Sequence, residues 1–189
     1  MSAAKSAKPT SLDLREQAVD TLFRLLETHD FKDITLPDVA REAGMRLSEL
    51  RGAVSSKLDI LDAFAARVDR QVLDDLDEDM GDQPARDRLF DVLMSRLDML
   101  SPYRKALKNI KNSLRRDPSL ALALNRIALR SHGWMLSAAG IEVPGIRGAI
   151  LLQGLAISFA RVVDVFLHED DPGLPRTMAA LDRELDRGE

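Results

Sequence analysis

The sequence predicts an all-α protein of about nine helices, on two observations. Apolar residues recur at spacings of three and four along most of the chain, whereas alternating β-branched runs are almost absent. Hydrophobic residues make up 45% and charged residues 31% of the 189 residues, a composition typical of helix-rich globular proteins. A chain of this length can bury a sizeable core as one large domain or two small ones.

The N-terminal residues predict a polar arm followed by an amphipathic helix. Residues 1–11 are polar and lack the apolar segment of a signal peptide, so we expect a disordered arm. Ser11 is the candidate N-cap of the helix, and Asp13 and Glu16 suit its first turn. The helix is predicted to end near His29, and its apolar stripe consists of Ala18, Leu22, Phe23, Leu25 and Leu26.

Residues 34–57, ITLPDVAREAGMRLSELRGAVSSK, predict two short helices joined by a tight turn. Thr35 is an N-cap candidate, Pro37 falls where a missing N–H is tolerated, and Gly44 can take the positive φ that ends a helix. After the turn, apolar residues again follow helical spacing at Met45, Leu47, Leu50 and Val54. A short helix, a glycine turn and a second short helix form the helix-turn-helix plan.

The rest of the sequence predicts further helices separated by short breaks. The least periodic stretch is the acidic segment 78–84, which we interpret as a loop because it lacks the ligand spacing of a calcium-binding EF-hand. We expect helices at residues 57–77, 84–101, 103–116, 119–139, 144–168 and 174–187.

Composition argues against several kinds of function. The chain has no cysteine, so disulfides and thiolate metal sites are excluded, and we expect no metal and no cofactor. It also lacks paired histidines, a Gly-rich phosphate loop and a nucleophile motif, so we do not expect an enzyme. The longest apolar run, residues 150–160, is interrupted by polar residues and too short to span a bilayer. We therefore predict a cytoplasmic protein without a transmembrane segment.

The charge of the chain is low for a nucleic-acid-binding protein. The formal net charge is -4, and residues 1–57 carry nine Lys or Arg and nine Asp or Glu, a net charge of zero. Because phosphate neutralisation supplies most non-specific DNA affinity, any DNA binding by this segment depends on a few well-placed cations.

The segment ITLPDVAREAG…SSK, between an amphipathic helix and a long one, resembles the N-terminal region of the TetR family of bacterial transcriptional regulators. The resemblance extends over residues 12–66, and the positions that match the family pattern are Ala40, Gly44, Leu50, Ser56 and Lys57. It implies a DNA-binding helix-turn-helix domain at residues 12–57 and a helical ligand-binding and dimerisation domain at residues 58–189. It also implies a homodimer that binds palindromic double-stranded operator DNA and a small hydrophobic ligand.

The second helix of the motif departs from the family pattern. Arg46 stands in place of the usual serine cap, and Arg51, Ala53 and Val54 stand in place of tyrosines and a phenylalanine. Two interpretations stay open: the module reads the DNA major groove, or it has kept only its packing role. In the first, the resemblance assigns the DNA contacts to Thr35, Arg46, Ser48, Glu49, Arg51 and Lys57.

The second half of the sequence contains the candidate ligand and dimer contacts. Residues 103–116 carry six cations and no acidic residue, which indicates a solvated face or a patch for an anionic ligand, nucleic acid or lipid headgroups. Residues 148–166 are apolar on more than one helical face, so we predict a dimer through the helices at 146–168 and 174–187. The large, adaptable or polar candidates for a ligand site are Phe90, Met94, Asn125, His132, Trp134, Met135, Gln153 and Phe159.

A second resemblance concerns the C-terminal half. The segments RLFDVLMSRLD, HGWMLSAAG and TMAALDRELDR resemble the COQ9 family, which shares the TetR fold, has lost DNA binding and binds hydrophobic lipids. The alternative function that it implies is a hydrophobic-ligand or lipid-binding protein without DNA binding.

Overall fold

The computed structural model describes residues 10–76 and 83–188 of the chain. These residues form an all-α fold, as the sequence predicts. Its α-helices are α1 (Ser11–Leu26), α2 (Leu36–Glu42), α3 (Leu47–Ala53), α4 (Lys57–Asp74), α5 (Ala85–Leu100), α6 (Arg104–Leu114), α7 (Pro118–Ala138), α8 (Gly145–Phe166) and α9 (Pro175–Asp186). A 3₁₀ turn, Ser101–Tyr103, joins α5 to α6.

The start of α1 corrects one sequence prediction. Thr10, rather than Ser11, is the N-cap, because its hydroxyl accepts the backbone N–H of Asp13 at 3.2 Å. The Asp13 carboxylate in turn accepts the backbone N–H of Thr10 at 2.9 Å, which completes a capping box. Ser11 is therefore helical and does not belong to the arm. The rest of the predicted arm, residues 1–9, and most of the predicted acidic loop, residues 78–82, lie outside the described residues.

Helices α2 and α3 form the predicted helix-turn-helix. Thr35 caps α2 in the same way as Thr10 caps α1, since its backbone N–H donates to Asp38 at 3.0 Å and its hydroxyl accepts the Asp38 N–H at 3.3 Å. Gly44 takes a φ of +67° at the end of α2, which a side chain would strain. Leu50 of α3 is 1% exposed and Val39 of α2 is fully buried, so both short helices are fixed by packing.

Helix α4 is the element on which the two halves of the chain meet. The ring of Phe64 stacks on Phe23 of α1 with centroids 3.8 Å apart, and Tyr103 packs edge-on against Phe64 at 4.8 Å. Beside these rings, Arg67 donates to Asp20 of α1 at 2.6 Å and to the Tyr103 hydroxyl at 3.3 Å. Helix α1, against which α2 and α3 pack, is thereby attached to α4 and to the start of α6.

Helices α5 to α9 form the rest of the core. Helix α7 packs between α4, α5 and α8, and α9 covers α8 and the start of α5. Gly140 follows α7 with a φ of +68°. Several helices end earlier than predicted: α1 at Leu26, α4 at Asp74 and α6 at Leu114.

Helix α8 is longer than the apolar run in the sequence suggests. It spans 22 residues and is long and apolar enough, by length and composition alone, to cross a membrane. Its packing against α7 and α9 buries Phe159, Val162 and Phe166 in the core. The N-terminal half of α8 is much less covered, and Ile146 and Ile150 are 81% and 67% exposed.

Candidate functional site

The first candidate site is the outward face of α3. Arg46, Ser48 and Arg51 are exposed there, whereas Leu50 on the opposite side is buried against the core. Leu47 is apolar yet 50% exposed on the same outward face. The helix therefore presents guanidinium donors, a hydroxyl and one apolar group, which can contact phosphate oxygens, base edges and a thymine methyl.

The start of α3 is held by Arg46 and Glu49. The Glu49 carboxylate accepts two hydrogen bonds from Arg46, one from the backbone N–H at 2.9 Å and one from the guanidinium group at 2.8 Å. This carboxylate raises the pKa of Arg46 and lies at the N-terminal end of α3, where the helix dipole favours a negative charge. Glu49 thus has a capping role, which the sequence-based assignment to base reading did not foresee.

Lys57, which the sequence suggested as a contact for a DNA phosphate, directs its ammonium group to backbone carbonyls of the protein. Its ammonium group donates to the backbone carbonyls of Phe31 at 2.6 Å and Ile34 at 2.5 Å, and it lies 4.3 Å from the centroid of the Phe31 ring. Partial burial lowers the pKa of Lys57, while nearby Asp33 and Asp38 act in the opposite direction. Lys57 therefore holds the α1–α2 connection against α4.

The second candidate site is a buried polar cluster among α4, α5 and α7. Asp69 forms an ion pair with Arg96 and also accepts the Ser131 hydroxyl at 2.6 Å. Asp69 is 7% exposed and Arg96 6%, so the pair lies inside the apolar core. Breaking such a pair is strongly destabilising, because one charge is left buried without its partner.

His132 adjoins this cluster. Its Nδ1 lies 2.7 Å from the Ala128 carbonyl, and its ring packs edge-on against Phe159 with centroids 4.9 Å apart. Since a carbonyl only accepts, Nδ1 carries the proton and Nε2 is an acceptor. Burial first, and the positive charge of Arg96 second, lower the pKa of His132 to about 4. Nε2 of His132 and Nε of Arg96 are both buried without a hydrogen-bond partner among the described residues.

The predicted ligand residues occupy several places in the fold. Asn125 of α7 and Gln153 of α8 exchange amide hydrogen bonds at 3.1 and 3.2 Å, which pairs them with each other. Phe90 and Met94 lie partly buried on α5 and pack against the core. Of these residues, His132 and Phe159 contact each other beside the polar cluster, and Met135 is fully buried three residues further along α7.

Trp134 does not belong to this interior. It is 58% exposed, because it lies on the outer face of α7 one turn beyond Arg130, whose guanidinium pairs with Asp62 of α4. Periodicity alone assigned it to the interior with the other large apolar residues.

An apolar groove of about 560 Å³ lies between α5, α7, α8 and α9. None of the eight residues that the sequence proposed for a ligand lines this groove. Its apolar walls come from Leu89, Leu136, Leu151 and Leu155, and the exposed Ile150 lies at its edge.

Solved structures share this arrangement of helices along almost the whole chain. A TetR transcriptional regulator from Nitrosomonas europaea is 21% identical, with a TM-score of 0.71 over 93% of this chain and 97% of that one. A TetR transcriptional regulator from Rhodococcus is 18% identical, with a TM-score of 0.62 over 95% and 97%. A TetR-family regulator from Streptomyces coelicolor is 16% identical, with a TM-score of 0.54 over 92% and 80%.

The chain has the TetR fold. No protein-family model and no curated protein matches it by sequence, and the likeness to the solved structures establishes its fold. Helices α1 to α3 come first in the chain and pack against one another, and α4 leads from them to the later helices.

Within this TetR fold, the residues that sequence reasoning missed are Asp69 and Arg96. Each lies on the apolar face of its helix, Asp69 beside Val68 on α4 and Arg96 beside Leu97 on α5. Two opposite charges on the apolar faces of separate helices are the signal that could have identified a buried pair.

The low pKa of His132 predicts a specific loss of stability in acid. In the unfolded chain His132 takes up a proton near its ordinary pKa of 6.5. In the folded protein the same ring stays neutral down to about pH 4. The contribution of His132 to the free energy of unfolding is therefore complete above pH 6.5. It falls as the pH is lowered and is smaller by about 3 kcal/mol at pH 4.

Chemical unfolding between pH 7 and pH 4 measures this effect by comparing the wild type with His132→Gln. The wild type should lose about 3 kcal/mol more stability than the variant over this range. Parallel curves for the wild type and His132→Gln would contradict a neutral buried His132.

Proposed function

We propose that the chain is a cytoplasmic, homodimeric transcriptional regulator of the TetR type, which represses by occupying operator DNA. We propose further that a small hydrophobic ligand controls its DNA binding. The observation that carries the proposal is the packed helix-turn-helix whose second helix exposes Arg46, Ser48 and Arg51. A buried core side and a polar outer side are what a recognition helix needs to enter the major groove.

The groups on α3 suit a mixture of phosphate and base contacts. Arg51 is exposed and has no ion-pair partner among the described residues, so its guanidinium is available to a phosphate or to guanine. Leu47 supplies an apolar contact for a thymine methyl. Gly52 is exposed, and a methyl group added there meets nothing within 4 Å, so the packing of the protein does not require a glycine. A glycine at this surface instead allows a close approach of the DNA backbone.

The charge of the module limits the number of phosphate contacts. Because residues 1–57 carry no net charge, we expect few phosphate contacts and a shallow dependence of affinity on salt. Base reading by α3 then accounts for a larger share of the binding free energy than in a strongly basic protein.

The proposed dimer surface is the uncovered side of α8 with α9. Ile146, Ile150 and Ile157 lie on one stripe of α8 and are 81%, 67% and 48% exposed, and Met178 of α9 is 42% exposed. Exposed apolar side chains in such a row are favourable when a second subunit covers them. A symmetric pairing of these helices would place two copies of α3 on one DNA duplex.

The proposed ligand site is the interior around His132. Its Nε2 acceptor and the Arg96 Nε donor lack hydrogen-bond partners among the described residues, and the buried Phe159 ring packs against His132. Since Asp69 of α4 is paired with Arg96, a ligand that shifts Arg96 also shifts the helix that carries the DNA-binding module. The ligand would thus change the population of dimers whose two α3 helices fit the operator.

The zero net charge of residues 1–57 and the capping role of Glu49 are also compatible with a second candidate function. In this alternative the protein binds a hydrophobic ligand or lipid and has lost DNA binding. The apolar groove beside α8 would then hold the ligand.

Gel retardation with the DNA upstream of the protein's own gene tests the regulator proposal. The purified full chain should retard this DNA specifically at low salt. Arg51→Ala should weaken binding by about 1–3 kcal/mol, because it removes a phosphate or base contact.

The matched control for Arg51→Ala is Arg126→Ala. It removes an exposed arginine of α7 that also lacks an ion-pair partner among the described residues. It should leave the affinity unchanged. Absence of specific retardation at low salt would reject the regulator proposal, and lipid recovered with the purified protein would then support the alternative.

The dimer surface predicts a change of mass in solution. Ile150→Glu should convert the dimer to a monomer, because it buries a charge at the centre of the proposed interface. Light scattering coupled to size-exclusion chromatography measures the mass directly. Leu122→Glu is the control, since Leu122 is 56% exposed on α7 and lies outside the proposed interface. A dimeric Ile150→Glu variant would show that the subunits meet elsewhere.

A further inference from the structure

A polar groove of about 690 Å³ lies where the helix-turn-helix meets the later helices. One wall is the connection between α1 and α2, which carries Lys32. The other is the end of α6 and the turn into α7, which carries Arg115 and Arg116. The volume falls within the range of small-molecule sites, about 300–1,000 Å³.

The three cations of the groove differ from most other cations near α6. Lys111 forms an ion pair with Asp164, and Arg104 donates to the Glu169 carbonyl. Lys32, Arg115 and Arg116, by contrast, have neither an ion-pair nor a side-chain hydrogen-bond partner among residues 10–76 and 83–188. Three cations that face one groove without partners repel one another, and a bound anion relieves that repulsion.

The position of Arg115 and Arg116 at the end of α6 explains only part of the clustering of cations in this groove. Cations near a helix C-terminus interact favourably with the helix dipole, which accounts for Arg115 and Arg116 at the end of α6. Lys32 belongs to a different element, about eighty residues earlier in the sequence, and lines the same groove. Because cations from both walls line one groove, a single ligand could contact all three of them.

The acidic residues of the groove narrow the class of ligand. Asp30 and Asp117 also line it, so the three cations and two carboxylates give a net charge of +1. Asp117 caps α7 by accepting the Leu120 backbone N–H at 3.0 Å and the Ser119 hydroxyl at 2.6 Å, and these bonds lower its pKa. Ionised carboxylates are acceptors only, which suits the hydroxyl groups of a ligand.

We propose that this groove binds a small phosphorylated sugar or polyol. Arg115, Arg116 and Lys32 hold the phosphate, since guanidinium groups donate paired hydrogen bonds to phosphate oxygens. Asp30 and Asp117 accept hydrogen bonds from the hydroxyl groups. This site is separate from the interior around His132 and takes a polar ligand instead of a hydrophobic one.

The walls of the groove are attached to both halves of the fold. The backbone carbonyl of Phe31, the residue before Lys32, accepts a hydrogen bond from the Lys57 ammonium of α4 at 2.6 Å. Asn109 of α6 donates to the Leu26 carbonyl at the end of α1 at 2.7 Å. A ligand that joins the two walls fixes the helix-turn-helix relative to α6. Its effect on DNA affinity rests on the proposed function, whereas its binding does not.

Calorimetric titration of the full chain with glucose 6-phosphate, at constant ionic strength in phosphate-free buffer, tests the site. Glucose 6-phosphate should bind, and glucose should not. Arg115→Gln combined with Arg116→Gln should weaken binding at least about tenfold, because it removes charge-assisted hydrogen bonds. The double change to lysine keeps both charges but loses the paired hydrogen bonds, so its affinity should lie between those of the wild type and the glutamine variant.

The matched control combines Lys108→Gln with Arg126→Gln. It removes two exposed cations outside the groove, neither of which has an ion-pair partner among the described residues, and should bind glucose 6-phosphate like the wild type. Equal weakening in this control would overturn the proposal by showing non-specific charge attraction. Absence of glucose 6-phosphate binding, or binding no tighter than inorganic phosphate, would also overturn it. Weaker DNA binding by the glutamine variant without sugar-phosphate binding would assign the cations to the DNA interface instead.

Discussion

The structure depends on the packing of Phe64 between Phe23 and Tyr103. Through these rings α4 joins the N-terminal helices to the start of α6, and Arg67 adds hydrogen bonds across the same contact. Lys57 supplies a second attachment at the beginning of α4. The orientation of the N-terminal helices is therefore set mainly by α4, and α6 adds a contact of its own to the end of α1.

The buried Asp69–Arg96 pair gives the same helix a second constraint. An ion pair in an apolar core is a poor source of stability compared with well-packed apolar residues of the same size. It does fix the direction of two side chains, because each charge must find its partner. With His132 neutral beside it, the cluster holds α4, α5 and α7 in one arrangement, and Nε2 of His132 and Nε of Arg96 have no hydrogen-bond partner in the described part of the chain. This arrangement provides a physical connection from the interior to α4 and hence to the proposed DNA-binding face.

The sequence predicted the elements of the fold better than the roles of its polar side chains. Helical periodicity, the Thr35 cap and Gly44 were sufficient for the helices and the turn, because these are local properties of the chain. Periodicity did not show that Trp134 faces solvent, since a helical stripe does not specify which neighbour covers it. Likewise, the inward contacts of Lys57 and the pairing of Asn125 with Gln153 join residues distant in sequence.

The central claim is that two copies of α3 are presented together to one DNA duplex. Since the chain contains no cysteine, a spin label can be attached at Ser55→Cys alone, an exposed position two residues beyond α3. Pulsed electron spin resonance then measures the distance between the two labels of a dimer. With the upstream DNA bound, the account predicts one narrow distance near a helical turn of DNA, about 34–36 Å. Absence of an intersubunit distance, or a broad distribution that the DNA leaves unchanged, would contradict it.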